Sequence, residues 1–288
     1  MTRHGWNFRD AALKPDCGSG TMHLPEIACR LPAACATVGA AISTEECKRS
    51  TLTVSRVASG IRPRARSPMS LVRVHNFSVS VDGFGTGEGQ QLDAPFGHAG
   101  TRLLEWALPT RTFQQLGFHG EGEGSNGIDE TFASRWSSGI GVEIMGRNKF
   151  GPQRGPWADE EWQGWWGNNP PFHTPVIVLT HHPRPTLTMN GGTIFHFVDA
   201  EPAEALEQAR ALAGDLDVRI GGGVTTIRRF LEADLIDQMH IVLVPILLGR
   251  GERLWDSLEG LEQRFHIEAA PSPSGVIHLT FARRDRVV

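Results

Sequence analysis

Residues Val218 to Gly223 read Val-Arg-Ile-Gly-Gly-Gly and run into Val224-Thr225-Thr226-Ile227-Arg228-Arg229-Phe230-Leu231. A short apolar strand ends in three glycines. The residues after it place apolar side chains at Val224, Ile227 and Leu231, the spacing of one helix face. Three residues without Cβ let the backbone approach a ligand closely. The helix start then turns free N–H groups and the positive end of its dipole toward that ligand. Such a corner suits a pyrophosphate. A glycine turn that only packs helix on strand gives the same residues, and this stretch alone leaves both readings open.

The chain has 288 residues, 40% hydrophobic and 21% charged, which is ample for one core. A net charge of −4 gives no reason to expect nucleic acid or an anionic membrane surface as partner. No apolar run approaches the roughly 20 residues that span a bilayer. The expected setting is cytoplasmic, and the expected partner is a small-molecule substrate. Tyrosine is absent, so no tyrosyl acid or nucleophile enters.

A compositional boundary lies near Pro68. All four cysteines (Cys17, Cys29, Cys35 and Cys47) precede it, and residues 1–68 carry ten Lys/Arg against five Asp/Glu. Residues 69–288 carry 18 against 27. The leading segment shows no helix or strand period and reads as disordered. It has no Cys-x-x-Cys pair for zinc. Its Ala-rich run is interrupted by Arg30 and lacks a cationic start, unlike a signal peptide. We expect residues 1–68 to be an extension that precedes a true start at Met69, with one domain over 69–288.

Within that domain, Leu71 to Val81 reads as a strand entering the turn Asp82-Gly83. Gly85-Thr86-Gly87-Glu88-Gly89 reads as a mobile loop, because no helix follows and Glu88 would repel phosphate. Thr101 to Leu108 reads as a short helix, and His119 to Gly127 as a surface loop. A helix starts near Ile128, with Asp129 and Glu130 in its first turn, and ends by Ser138-Gly139. Val142 to Met145 is a strand before Gly146-Arg147-Asn148-Lys149-Phe150. Trp157, Trp162, Trp165 and Trp166 sit in a Gly/Pro-rich connector, as a ligand wall or as packing. Strands follow at Val176–Leu179 and Thr193–Val198. Pro202 to Ala213 is a helix, with Pro in its first turn and Gly214 as its cap. Met239–Val244 is a further strand, and Phe265–Ala269 with Val276–Phe281 make a hairpin. The pattern predicts an α/β fold with a mainly parallel sheet and an antiparallel C-terminal edge.

Four segments occur in a recognisable order: Ser78-Val79-Ser80-Val81-Asp82-Gly83, Ile144-Met145-Gly146-Arg147-Asn148-Lys149-Phe150, the glycine corner, and Leu235-Ile236-Asp237-Gln238 leading to Pro245-Ile246-Leu247-Leu248-Gly249-Arg250-Gly251. Over residues 70–284 the chain resembles the dihydrofolate reductase-like superfamily, in the branch that contains the reductase domain of bacterial riboflavin biosynthesis. The resemblance implies a three-layer α/β/α domain that binds NADPH and reduces a small heterocyclic or carbonyl substrate. It would put Gly146 and Arg147 at the adenosine side and Thr180 and His181 near the 2′-phosphate. Gly221, Gly222, Gly223, Val224 and Thr225 would hold the pyrophosphate. Arg147, Thr180, His181, His182 and Arg184 all follow strand ends, where open α/β sheets bind ligands.

The resemblance also suggests a proton donor at Asp129 or Glu130, on the helix before the Met-Gly-Arg strand, or at Asp82. A helix-start acid and a structural Asp-Gly turn are the bland alternatives for these acids. No metal site is expected. Family members often dimerise, and Met239–Leu248 would serve a homodimer interface or a core strand. Two departures stand out. Riboflavin-pathway reductases usually carry Glu where this chain has Gly221, and Lys where it has Asn76. The rival functions are a non-catalytic nucleotide-binding or sensory protein, and a flavin- or F420-linked protein.

Overall fold

The structure, a computed structural model, describes residues 70–117, 123–159 and 161–286. The expectations for residues 1–68, the start at Met69 and the first four residues of the His119 loop fall outside those residues.

Eleven strands and five helices form along the described chain. Strands β1 (Val72–Ser80), β3 (Ile140–Gly146), β4 (Pro175–Leu179), β6 (Ile194–Val198), β7 (Asp217–Gly222) and β8 (Gln238–Val244) are the parallel centre of one sheet. β5 (Leu187–Thr188) closes one edge, and the hairpin β10 (Phe265–Pro271) and β11 (Ile277–Arg283) closes the other. The nine-stranded order is β10-β11-β8-β1-β7-β3-β4-β6-β5. β2 (Phe84–Thr86) and β9 (Glu252–Arg253) pair as a small separate ribbon.

Alternation along the strands separates two faces. On β4, Ile177 joins one core cluster while Val176 and Val178 join another. On β8, Met239 and Ile241 share the cluster of Ile177, while Val242 and Val244 enter a third. Helices α4 (Pro202–Ala213) and α5 (Val224–Glu232) cover the Ile177 face. Helices α1 (Arg111–Gln115) and α2 (Ile128–Ala133) and the tryptophan connector cover the opposite face. The fold is therefore three layers, α/β/α, around a mainly parallel sheet with an antiparallel edge.

α5 buries Val224, Ile227, Phe230 and Leu231. Burial of each such side chain contributes roughly 1.5–3 kcal/mol. This packing fixes the angle at which the helix start meets the glycine corner.

Several expectations need correction. Thr101 to Leu108 is a run of three-residue turns, with Leu104 N–H on Thr101 O at 2.7 Å and Ala107 N–H on Leu104 O at 2.8 Å. Pro109 ends the segment, and the residue before a proline resists helical geometry. α2 stops at Ala133, and residues 134–139 continue as turns and bends in which Trp136 packs on the core. The glycine-rich segment after Phe84 is held rather than loose. It enters β2, and Gly87 N–H reaches Phe96 O at 3.2 Å while His98 N–H reaches Glu88 O at 3.0 Å. β8 is paired on both sides, to β1 and β11, so Met239 to Val244 is a core strand.

Candidate functional site

A cavity of about 860 Å³ opens over the carboxyl ends of the central strands. Its polar wall comes from Gly146 to Lys149 at the end of β3, Leu179 to His182 at the end of β4, and Gly221 to Thr226 where β7 passes into α5. Its apolar wall includes Phe77, Leu103, Leu108, Phe113, Trp136 and Phe172. Strand ends of a parallel sheet are where such folds place ligands, because the helix starts gather there.

The glycine corner has three distinct jobs. Gly223 caps α5 with extended backbone (φ −73°, ψ −163°), and no side chain caps that helix. Nothing lies within 4 Å of where a β-carbon at 223 would stand. Open space and uncapped helix N–H groups therefore coincide, the arrangement that receives a phosphate. Gly222 has φ +111°, a backbone that L side chains rarely adopt, and the Gly222–Gly223 peptide is cis. Gly221 is bare for another reason. A β-carbon there would overlap the Glu143 carboxylate.

Glu143 is 1% exposed in mid-β3. It accepts from Lys149 Nζ at 2.7 Å and pairs with Arg219 at 3.0 Å. Lys149 also donates to Gly221 O at 2.7 Å. Burial lowers the Lys149 pKa, and the Glu143 charge opposes the shift. Lys149 and Arg219 line the cavity, so the triad leaves a positive excess at its floor. Where the family's usual Glu at position 221 would sit, the carboxylate of the neighbouring strand already stands.

Gly146 belongs at the end of β3 because a β-carbon there would overlap the Thr226 hydroxyl of α5. Arg147 lines the cavity and stacks on Trp157, 3.8 Å from the ring centroid. It donates to Gly155 O at 2.5 Å, while its Nε and Nη2 are buried without a hydrogen-bond partner. Burial first, then Arg154, lowers its pKa, so an anion beside it would be favoured. Thr180 is buried, and its hydroxyl accepts from His182 N–H at 3.1 Å. His181 is exposed and lies 2.9 Å from Asp199. Gly146, Arg147, Thr180, His181 and Gly221 through Thr225 thus all border one cavity.

The acids named from sequence do not. Asp82 is a turn clamp. Ser80 Oγ donates to it at 2.6 Å, and the N–H groups of Leu248 and Gly249 at 3.1 and 2.7 Å. The Ser80 bond first, then the Gly249 and Leu248 amides, hold its pKa down to about 2. Asp129 bonds His278 Nε2 at 2.8 Å, and Glu130 accepts from Thr112 N–H and its hydroxyl, both at 2.9 Å. None of the three lines the cavity.

Sequence reasoning missed His75, Lys149, Arg219 and Glu252 as cavity groups. His75 Nδ1 is buried without a partner, and burial with Arg73, Arg219 and Arg135 pushes its pKa down to about 4. Glu252 accepts from the Thr225 hydroxyl at 3.2 Å, at the edge of the cradle. A lone acid within an apolar strand, as in Gly141-Val142-Glu143-Ile144-Met145, was the one available signal for the buried triad.

Among the described residues, no His, Cys, Asp and Glu group is placed to hold a metal, and no helix is long and apolar enough to cross a membrane.

No curated protein sequence matches this chain. Among solved structures, the chain is similar to a putative riboflavin biosynthesis protein from Shewanella sp. PV-4 (21% identity, 75% of this chain, 99% of that one, TM-score 0.44). It is similar to a pyrimidine reductase-like protein from Corynebacterium diphtheriae (13% identity, 75% and 92%, TM-score 0.40). It is also similar to dihydrofolate reductase from Enterococcus faecalis complexed with NADP(H) (15% identity, 76% and 98%, TM-score 0.41). Residues 74–272 match the model of the RibD C-terminal domain, and the chain belongs to that family of dihydrofolate reductase-like, NADPH-dependent reductases.

Proposed function

We propose that this protein reduces a small heterocyclic or carbonyl compound with NADPH. The observation that carries the reading is the coincidence, on one cavity, of an uncapped helix start beside open space at Gly223 and a partly unpartnered guanidinium at Arg147. The first suits a pyrophosphate and the second a 2′-phosphate, the two anionic features of NADPH.

Bound NADPH would supply a hydride. The residues of this chain supply position and a dry setting. The N–H groups of Val224 and Thr225 would hold the pyrophosphate, and Arg147 on Trp157 would hold the 2′-phosphate. Phe77, Trp136 and Phe172 would press a flat ring between apolar faces. Lys149, fixed by Glu143, keeps a positive charge at the floor, which steadies negative charge that develops on a reduced carbonyl or imine.

Tryptophan fluorescence titration tests the first half, since Trp136, Trp165 and Trp166 line the cavity. NADPH should bind more tightly than NADH by tenfold or more. Oxidation of NADPH over a panel of dihydropterins, ribosylamino-pyrimidines, quinones and aldehydes tests the second. A second reading, a nucleotide-binding protein without turnover, draws on the distance of Asp82, Asp129 and Glu130 from the cavity. Tight NADPH binding with no oxidation across the panel would establish it. A homodimer would use a face other than β8, and light scattering at micromolar concentration tests that.

A further inference from the structure

Behind the cavity wall lies a chain of polar side chains that the proposed reaction does not use. Asp129 Oδ1 meets His278 Nε2 at 2.8 Å, His278 Nδ1 meets His240 Nε2 at 3.0 Å, and His240 Nδ1 meets Asn76 Oδ1 at 2.8 Å. His278 is 0% exposed and His240 3%, while the Asp129 side chain is 16% exposed and ends the chain toward solvent. Phe132 stacks on both imidazoles at 4.4 and 4.3 Å, and Trp106 meets both edge-on. Asn76 lines the cavity. It sits at the bulge of β1 between Val74 and Phe77, with φ +55°. Such bulges re-aim side chains.

The proton count of this chain is fixed by its geometry. Each of the three links needs one proton. A carboxylate and two neutral imidazoles bring two, and the third makes the unit electroneutral. Burial favours that neutral sum over a unit with a net charge of −1. Asn76 Oδ1 only accepts, so its link exists only while His240 Nδ1 is protonated. Without the third proton Nδ1 instead accepts from the Asn76 backbone N–H at 3.3 Å, its lone pair faces that of Oδ1, and the side-chain amide loses its donor and is driven to turn. Turning is opposed at the other end, where Asn76 Nδ2 donates to Ala133 O at 3.2 Å. The amide therefore has one comfortable pose, and that pose depends on the third proton. In it the second Nδ2 hydrogen has no partner among the described residues.

The groups facing the rings are few. His278 faces Asp129 and His240, and His240 faces His278, His75 and Arg135. Burial first, then these cationic or ionisable neighbours, pushes His240 down to about 3, which disfavours a lone imidazolium there. Burial lowers His278 as well, against Asp129. A lone imidazolium is therefore unfavourable on either ring, and it is the continuous hydrogen-bonded chain that would let the unit share a third proton, with the rings titrating together.

We propose that Asp129, His278 and His240 form one proton-holding unit that fixes the side-chain amide of Asn76 at the cavity wall. Asn76 then offers its free N–H as a pH-gated anchor for an acceptor atom of the substrate, a ring carbonyl or imine nitrogen. The three residues are positioning residues, acting through Asn76. That the anchored molecule is a substrate rests on the reductase reading, whereas the proton unit does not.

The test uses the full chain without cofactor, labelled with 15N at histidine and asparagine side chains and followed by NMR across pH. Both imidazoles should change tautomer in one step with one midpoint. The Asn76 amide signal, identified by its loss in Asn76→Ala, should move at that same midpoint. In Asp129→Asn the third proton would leave the buried unit positively charged, so the midpoint should fall by at least one pH unit, a tenfold loss of proton affinity. Asp129→Glu should restore it. Separate midpoints for the two rings, an Asn76 signal that ignores them, or an unmoved midpoint in Asp129→Asn would each overturn the proposal. The wild-type titration decides the existence of the unit even if a variant fails to fold. No cofactor or turnover enters the measurement, so its failure and a failure of NADPH binding are read separately.

Discussion

Replacing Gly223 by Asp separates the stability of the glycine corner from its use. Gly223 already has the extended backbone of a helix cap, and its missing β-carbon faces open space. An aspartate there meets no steric bar and can accept from the uncapped N–H groups of α5. Capping of this kind improves on glycine by a few tenths of a kcal/mol, and the helix dipole adds roughly 0.3–1 kcal/mol. The variant should therefore melt at or slightly above the wild-type temperature. Cofactor binding should move the other way. The carboxylate would occupy the place of the pyrophosphate and claim its N–H donors. Two unit charges 4 Å apart repel by about 4 kcal/mol at an effective dielectric constant of 20. Solvent at the cavity mouth reduces this, so NADPH affinity should fall by about 10²–10³-fold. Gly223→Ala, which adds no charge, should cost much less. Fluorescence titration measures the affinities, and thermal melts check the fold. Wild-type NADPH affinity in a folded Gly223→Asp protein would refute the cradle. Gly222 is the wrong residue for this experiment, because its φ of +111° makes any side chain a source of strain.

Other substitutions probe the remaining parts. Arg147→Gln should weaken NADPH by about 10²-fold and NADH by less than about threefold, since only one of them carries the phosphate that the guanidinium would meet; parallel titrations decide. Glu252→Gln removes a carboxylate beside Thr225 and should tighten NADPH by about three- to tenfold, with the gain shrinking as salt is added. Glu143→Gln leaves Lys149 and Arg219 buried without their counter-charge and should cost about 3–5 kcal/mol in urea unfolding. Asp82→Asn addresses the turn. The folded Asp82 pKa, about 2, is below the ordinary 3.8, so its charge stabilises the fold above pH 4, and that contribution is lost as pH falls toward 2. The stability gap between wild type and Asp82→Asn should be present at pH 5 and close by pH 2, with NADPH affinity at neutral pH unchanged.

Much of the frame was legible because local chemistry agreed with the final fold. α4 occupies Pro202–Ala213, where a first-turn proline and Gly214 mark both ends. The alternation of β6, β7 and β8 with α4 and α5 points to a parallel sheet, and Pro271 to Gly275 marks the terminal hairpin. What escaped was decided by contacts between distant residues. The reason for Gly221 lies on a neighbouring strand, in Glu143, and no local pattern shows it. The histidine chain unites Asn76, Asp129, His240 and His278 across four elements, and each residue alone reads as an ordinary polar interruption. The position of Asp129 before the Met-Gly-Arg strand marks it in the sequence as a candidate proton carrier. Its partner turned out to be a buried imidazole, which one-dimensional spacing does not reveal. The short Thr101–Leu108 segment misled for the opposite reason, because helical composition there is overruled by Pro109.

A crystal structure of the protein grown with NADP⁺ tests the central claim most directly. Pyrophosphate oxygens should lie within about 3.2 Å of the Val224 and Thr225 amides, with the 2′-phosphate against Arg147. Dinucleotide bound elsewhere, with the space beside Gly223 filled by water alone, would contradict the account.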